Sequence, residues 1–108
     1  MKALSIRQPY AEYIASKKKT LEVRTWRTHY RGPLTICSSQ KPDDPEFKHW
    51  PLGKTICKVE LTEVRPMKRK DAKAAMCPYD PDCYVWELKL IKRVRARSVK
   101  GRLGIFNL

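Results

Sequence analysis

Acidic residues are scarce in this 108-residue chain, and long apolar runs are absent. No stretch approaches the about 18 consecutive apolar residues of a membrane-crossing helix, and no long amphipathic helix suggests a membrane-surface protein. The opening Met-Lys-Ala-Leu-Ser-Ile-Arg-Gln-Pro has no apolar signal core, so it reads as part of the mature fold and the expected location is cytoplasmic. Repeats and low-complexity tracts are missing. The two histidines, His29 and His49, stand alone, with no triad partner and no metal-ligand spacing. Of the cysteines Cys37, Cys57, Cys77 and Cys83, only the last two are close, as C-x5-C, and no second Cys/His pair lies near them. Without a secretory signal a disulfide framework is disfavoured. Cys37 and Cys57 fall in apolar strand patterns and read as small buried hydrophobes. No metal and no cofactor is expected.

What is present in excess is positive charge. Lys and Arg outnumber Asp and Glu by 24 to 11, a formal net charge of +13. On one small domain that balance points to a polyanionic partner, because solubilising surfaces mix the two signs more evenly. The apolar share, 42%, suffices for one small core, so residues 1–108 read as a single domain.

The pattern is rich in strands. Ala3–Ile6 opens as a short strand, and Pro9 starts a helix in which Tyr10, Tyr13 and Ile14 recur at helical spacing. Lys17, Lys18 and Lys19 are expected to close that helix, where cations complement the negative end of its dipole. Leu21–Trp26 alternates, with Leu21, Val23 and Thr25 toward the core and Glu22, Arg24 and Trp26 on the opposite face. Gly32-Pro33 marks a turn before a strand over Leu34–Ser38. Residues 40–53, with three prolines and three acids, read as a long loop. Lys54–Val64 is a strand with Cys57, Val59 and Leu61 on one face, and its phase slips at Thr62-Glu63, which predicts a bulge. A short helical segment follows over Lys68–Met76, then a rigid loop from Cys77 to Cys83. Tyr84–Ile91 is a strand with Tyr84, Trp86, Leu88 and Leu90 on one face, and Leu103–Phe106 a last one. Five or six strands and two short helices predict an α+β, strand-rich chain built as a closed or partly closed sheet.

Within Ser16–Arg31, Glu22 is the only acid among six Lys/Arg residues, one histidine and the aromatics Trp26 and Tyr30. Cations hold phosphates and aromatic faces stack on bases, so the blend suits nucleic acid. A lone carboxylate in such a field suggests a site, where Lys19 and Arg24 hold Glu22 ionised. Trp26 follows on the charged face and is a candidate base-stacking wall beside Arg27, and Trp50 offers a second stacking face from the loop. The tail from Lys92 to Arg102 carries Lys92, Arg93, Arg95, Arg97, Lys100 and Arg102 with no acid, which favours a phosphate-tracking surface over a merely charged edge strand.

Lys19-x-x-Glu22-x-Arg24 and its surroundings resemble the ASCH domain (activating-signal-cointegrator homology), a branch of the PUA-like β-barrels. The likeness runs through Ala3–Tyr10, Lys18–Trp26, Tyr30–Leu34, Val64–Met67, Cys77–Tyr79, Tyr84–Trp86 and Gly101–Phe106, nearly the whole chain. The resemblance implies a small PUA-like β-barrel of five to six strands with two or three short helices. It also implies a basic cleft at the helix-to-strand junction, lined by the family's G-x-K-x-x-E-x-R and generally expected to bind RNA. Lys19, Glu22 and Arg24 match that motif, whereas Lys17 stands at its glycine, where left-handed backbone geometry costs lysine more. Ser5 and Gln8 in the first matching segment, and Ser38 at the end of the strand that follows Tyr30–Leu34, are candidate polar contacts at the cleft.

The leading expectation is therefore a monomeric RNA-binding module: a nucleotide-recognising cleft of Lys19, Glu22 and Arg24, with the 92–102 cluster holding the phosphate backbone. The alternative is an enzyme acting on RNA or a modified nucleoside, a ribonuclease or an acetylcytidine amidohydrolase-like hydrolase, with Lys19 and Glu22 as candidate catalytic residues. In the amidohydrolase pattern a threonine nucleophile accompanies the lysine. Glu22 occupies that threonine's position here, and a carboxylate cannot replace an activated hydroxyl nucleophile.

Overall fold

In the computed structural model, which describes residues 1–108, the chain forms six strands: β1 (Lys2–Ile6), β2 (Leu21–Arg24), β3 (Gly32–Ser38), β4 (Thr55–Pro66), β5 (Tyr84–Arg93) and β6 (Ile105–Asn107). Two short helices, α1 (Tyr10–Ala15) and α2 (Ala72–Ala75), and 3-10 turns at Pro45–Phe47 and Arg69–Asp71 complete it. The strands lie side by side in the order β2-β5-β4-β3-β1-β6. Only β1 and β3 run parallel, with Leu4 opposite Ile36. A parallel pair cannot be joined by a tight turn, and here α1 and β2 fill the connection.

The order has two ends, so the sheet is a curled half-barrel with an open seam rather than a closed barrel. Bulges help produce the curl. Leu61 faces Leu88 and Glu63 faces Glu87, leaving Thr62 as the extra residue at the expected slip. A second shift falls between Lys58 and Val59. Each bulge bends its strand and raises the local twist, so the β4–β5 ladder wraps rather than lies flat. The concave face buries Leu4, Ile6, Leu34, Ile36, Val59, Leu61, Trp86 and Leu88, and Ala11, Ile14 and Ala15 of α1 plug it. Cys37 and Cys57 are fully buried, as expected, and burial pushes their thiols up to about 11 and about 12. All four cysteines are free thiols. No helix is long and apolar enough to cross a membrane.

Two local readings change. Helix α1 ends at Ala15, so the three lysines lie beyond its last turn rather than within it. Lys17 adopts φ +66°, a left-handed geometry that glycine takes without strain. Its N–H bonds the Ile14 carbonyl at 3.2 Å, and the N–H of Lys19 bonds Tyr13 at 3.0 Å, so the reversal caps the helix. Lys17→Gly is expected to raise stability by roughly 1 kcal/mol, because a left-handed residue with a Cβ is strained by that order. An increase of roughly 4–8 °C in the thermal midpoint checks it; an unchanged or lower midpoint contradicts it.

The second change concerns β2. Its apolar face is covered as expected: Leu21 and Val23 pack against Met67, Ala75 and Val85 beneath α2. The charged face is not turned away from the interior, however. Because the sheet curls, β2 is carried back toward the end of β1, and Glu22 is only 8% exposed. The strand stops at Arg24, and Trp26, in the bend beyond it, packs edge-on against Trp86 with centroids 4.9 Å apart.

After β5 the chain stays beside the start of β4. Val94 bonds Ile56, Thr55 bonds Arg97, and Val99 bonds Gly53. Val99 then packs over Ala3, Cys37 and Phe106 on the convex side, and the chain reaches the seam at Lys100–Gly104 before β6 returns along β1.

Candidate nucleic-acid interface

A cavity of about 1000 Å³ opens at the seam. Its walls come from the end of β1, from β2, from residues 38–43, from the turn after α2 and from residues 100–104. The left-handed turn at Lys17 sends Lys19 inward, and its side chain is 4% exposed. The Lys19 ammonium donates to the Ala75 carbonyl, in the last turn of α2, and lies 5.4 Å from the centre of the Tyr10 ring. That carbonyl belongs to a helix end, where it has no partner within the helix and favours a cation.

Glu22 stands between two cations. Its Oε1 is 3.4 Å from Lys19 Nζ and its Oε2 is 3.0 Å from Arg24 Nη2. Arg24 Nη2 also donates to the Ser5 carbonyl at 2.9 Å, which ties β2 to β1 across the seam. Buried charges persist when they are paired in this way, since a lone one would cost several kcal/mol. Two polar atoms in the network have no partner: the Ser5 hydroxyl and Arg24 Nε, both buried. Unpaired buried donors cost about 1–3 kcal/mol each and call for an explanation. Gly101 makes the close packing here possible, because a Cβ on it would come 2.8 Å from Ser5 Oγ.

The cavity walls carry six cations, Arg7, Lys19, Arg24, Lys41, Lys100 and Arg102, against the two acids Glu22 and Asp43. Burial, and then the Asp43 carboxylate, push the Tyr10 hydroxyl up, so it stays a protonated donor at neutral pH. The result is a concave site with one carboxylate in its floor and cations around it.

The other expected site residues divide. Ser38 lines the cavity, but its hydroxyl is engaged by the Lys54 backbone, at 3.1 Å to the N–H and 3.3 Å to the carbonyl. Gln8 is not at the cavity. It is fully buried, donates to the Pro51 carbonyl at 3.1 Å and accepts from the Glu12 N–H at 3.0 Å, so it fastens the 40–53 loop to α1. Trp26 is a wall of the core behind the site, and its edge-on contact with Trp86 explains why it does not line the cavity. Arg27 is exposed on the outer surface with its guanidinium 5.5 Å from the Tyr84 ring centre. Trp50 packs on Tyr13 and Phe47.

The tail cluster is not one strip. Lys100 and Arg102 reach the cavity, and Arg95 and Arg97 border a second hollow. Arg93 forms a two-pronged ion pair with Glu12, holding that carboxyl below its usual range, and Lys92 sits opposite Lys58 on the ladder. Sequence reasoning missed Arg7, Lys41, Tyr10 and the Ala75 carbonyl. Nothing in the local pattern marks Lys41 or Ala75, whereas Arg7 and Tyr10 lie in a segment already singled out. The catalytic candidates Lys19 and Glu22 do meet, and the Lys19 ammonium is occupied by Glu22 and Ala75. Nowhere are three His, Cys, Asp or Glu side chains gathered as metal ligands.

The fold and cleft define a strand-rich half-barrel with a polar pocket at its seam. The family profile of the ASCH domain matches residues 4–106, and the chain belongs to that family. Among solved structures, it is similar to ASCH from Zymomonas mobilis, with a TM-score of 0.73 and 13% identity over 99% of this chain and 86% of that one. Two point variants of that Zymomonas mobilis protein superpose with TM-scores of 0.70 at 12% identity, over 99% of this chain and 88% and 87% of theirs. At such identity the likeness speaks for the fold alone. Among curated proteins none matches the chain.

Proposed function

We propose that this ASCH domain is an RNA-binding module that takes one nucleotide into the seam cavity and holds the flanking phosphates at its basic rim. One observation carries the reading most of the way: a buried Lys19–Glu22–Arg24 network retains an unpaired Arg24 Nε–H and an unpaired Ser5 hydroxyl beside a cation-rich cavity. Buried donors without partners are uncommon, and a ligand acceptor in the cavity would supply the partners these two lack. The Glu22 carboxylate accepts from an amino or hydroxyl group of the ligand, as carboxylates do from base amino groups. Arg24 supplies a donor, and Arg7, Lys41, Lys100 and Arg102 meet phosphate.

Binding of labelled single-stranded RNA should weaken steeply with salt. For four neutralised phosphates on a single strand, the slope of log K against log salt is about −3. Anisotropy titrations between 50 and 200 mM salt test this, with matched DNA as the comparison for 2′-hydroxyl recognition. Absence of RNA binding at low salt removes the proposal.

A further inference from the structure

A second hollow, of about 430 Å³, lies away from the seam. Its apolar surface comes from Met1, Val94 and Leu108, of which Met1 and Leu108 are 62% and 51% exposed. Arg95 and Arg97 border it, no Asp or Glu side chain lines it, and neither guanidinium has a carboxylate within ion-pair distance. The two arginines are held rather than loose. The Thr55 hydroxyl donates to the Arg95 carbonyl at 2.6 Å and accepts from the Arg97 N–H at 3.0 Å, clamping the backbone on both sides of Ala96. An apolar patch beside two unpaired guanidiniums on a fixed backbone suits a ligand that alternates flat apolar faces with phosphates. Guanidinium grips phosphate two-pronged and also stacks on bases.

The covalent path between the two cavities is short. Arg97 and Lys100 are three residues apart, at most about 11 Å of chain. At about 3.4 Å per stacked nucleotide that is roughly three nucleotides. The segment between them holds no acid, and Lys100 and Arg102 continue the charge to the seam. We infer that the second hollow is a subsite for the same RNA strand: with one nucleotide in the seam cavity, the strand runs along residues 97–100 and places a later nucleotide and its phosphates against Arg95 and Arg97. This rests on the RNA-binding reading and adds to it that the ligand is a single strand several nucleotides long, not a mononucleotide. An acidic peptide is the competing occupant, but it offers no flat faces for the apolar patch and no reason for a basic path to the seam.

Fluorescein-labelled single-stranded RNAs of two, four, eight and twelve nucleotides, titrated against the full chain, test this. Affinity should climb between two and about eight nucleotides and then level off. The double variant Arg95→Ala/Arg97→Ala should bind the dinucleotide as wild type, bind the eight-mer about 10- to 100-fold more weakly, and show a salt slope shallower by about 1.4, two phosphates' worth. Both side chains are exposed and unpaired, so the thermal midpoint should not move, which separates a binding defect from a folding one. Length-independent affinity, or a double variant that binds the eight-mer normally, overturns the second subsite and leaves the seam reading intact. So does displacement by polyglutamate at the hollow without any effect of RNA length. Failure of wild type to bind RNA of any length overturns both.

Discussion

Arg24→Ala is expected to lower affinity for the preferred RNA by about 10- to 100-fold and to flatten the differences among RNA sequences. One Arg24 nitrogen bonds both Glu22 and the Ser5 carbonyl, while Nε stays unpaired. The substitution therefore removes a ligand donor and also the bond that closes the seam. A hydrogen bond to a charged group contributes about 1.5–3 kcal/mol, which sets the size of the loss. Glu22 keeps Lys19 as a partner, so the stability cost should stay near roughly 1–2 kcal/mol, below that of stranding a buried charge altogether. Arg24→Lys is the informative companion. It keeps the charge but not the planar fork, so it should recover stability more than sequence discrimination. Lys100→Ala at the rim should instead weaken all RNAs alike and make the salt slope shallower by about 0.7. Equal binding of an RNA panel by wild type and Arg24→Ala would refute the cleft as the reading site.

The largest stability effect should come from a network outside the cavity. Asp71 is 4% exposed, takes two hydrogen bonds from the Arg65 guanidinium at 2.7 and 2.9 Å and one from the Lys68 N–H at 2.8 Å, while Arg65 Nε reaches Glu87 at 2.7 Å. The Arg65 hydrogen bonds, more than any other influence, hold the Asp71 carboxyl down at about 2. A depressed carboxyl stabilises the fold fully above its unfolded value, near 3.9, and loses that contribution as pH falls toward the folded value. The wild type should thus lose roughly 2 kcal/mol between about pH 4.5 and pH 2 through this group. Asp71→Asn should cost roughly 2 kcal/mol at pH 7, the contribution of the ionised carboxyl it removes while Arg65 keeps Glu87, and should flatten that part of the acid dependence. Denaturant unfolding across pH 2–7 measures both. A variant with the wild-type midpoint at pH 7 would show the network to be ornamental. The cavity should respond as well, since Asp71 leads directly into α2, whose Ala75 carbonyl holds Lys19.

Much of the architecture is legible in the sequence. Alternation placed the strands, the slip at Thr62 marked the bulge, and apolar neighbours put Cys37 and Cys57 in the core, because two-residue periodicity follows directly from which face of a strand is dry. Lys17 stands out in the sequence only as a departure from the family's glycine, and the structure shows that it keeps the left-handed backbone all the same. Lys19, Glu22 and Arg24 lie close in sequence, so their meeting needed little more than the turn and the strand that carry them.

What the chain's order could not decide was who else comes to that trio. Gln8 and Trp26 sit in the same segments as real cavity residues, yet one fastens a loop and the other braces Trp86. The basic tail, uniform as a string, divides among an ion pair with Glu12, a hollow at Arg95 and Arg97, and the rim at Lys100 and Arg102. Local periodicity determines which side of a strand is apolar. Only the curl of the sheet, set by bulges and by pairing between strands distant in sequence, determines which edges approach and so what faces Glu22 across the seam.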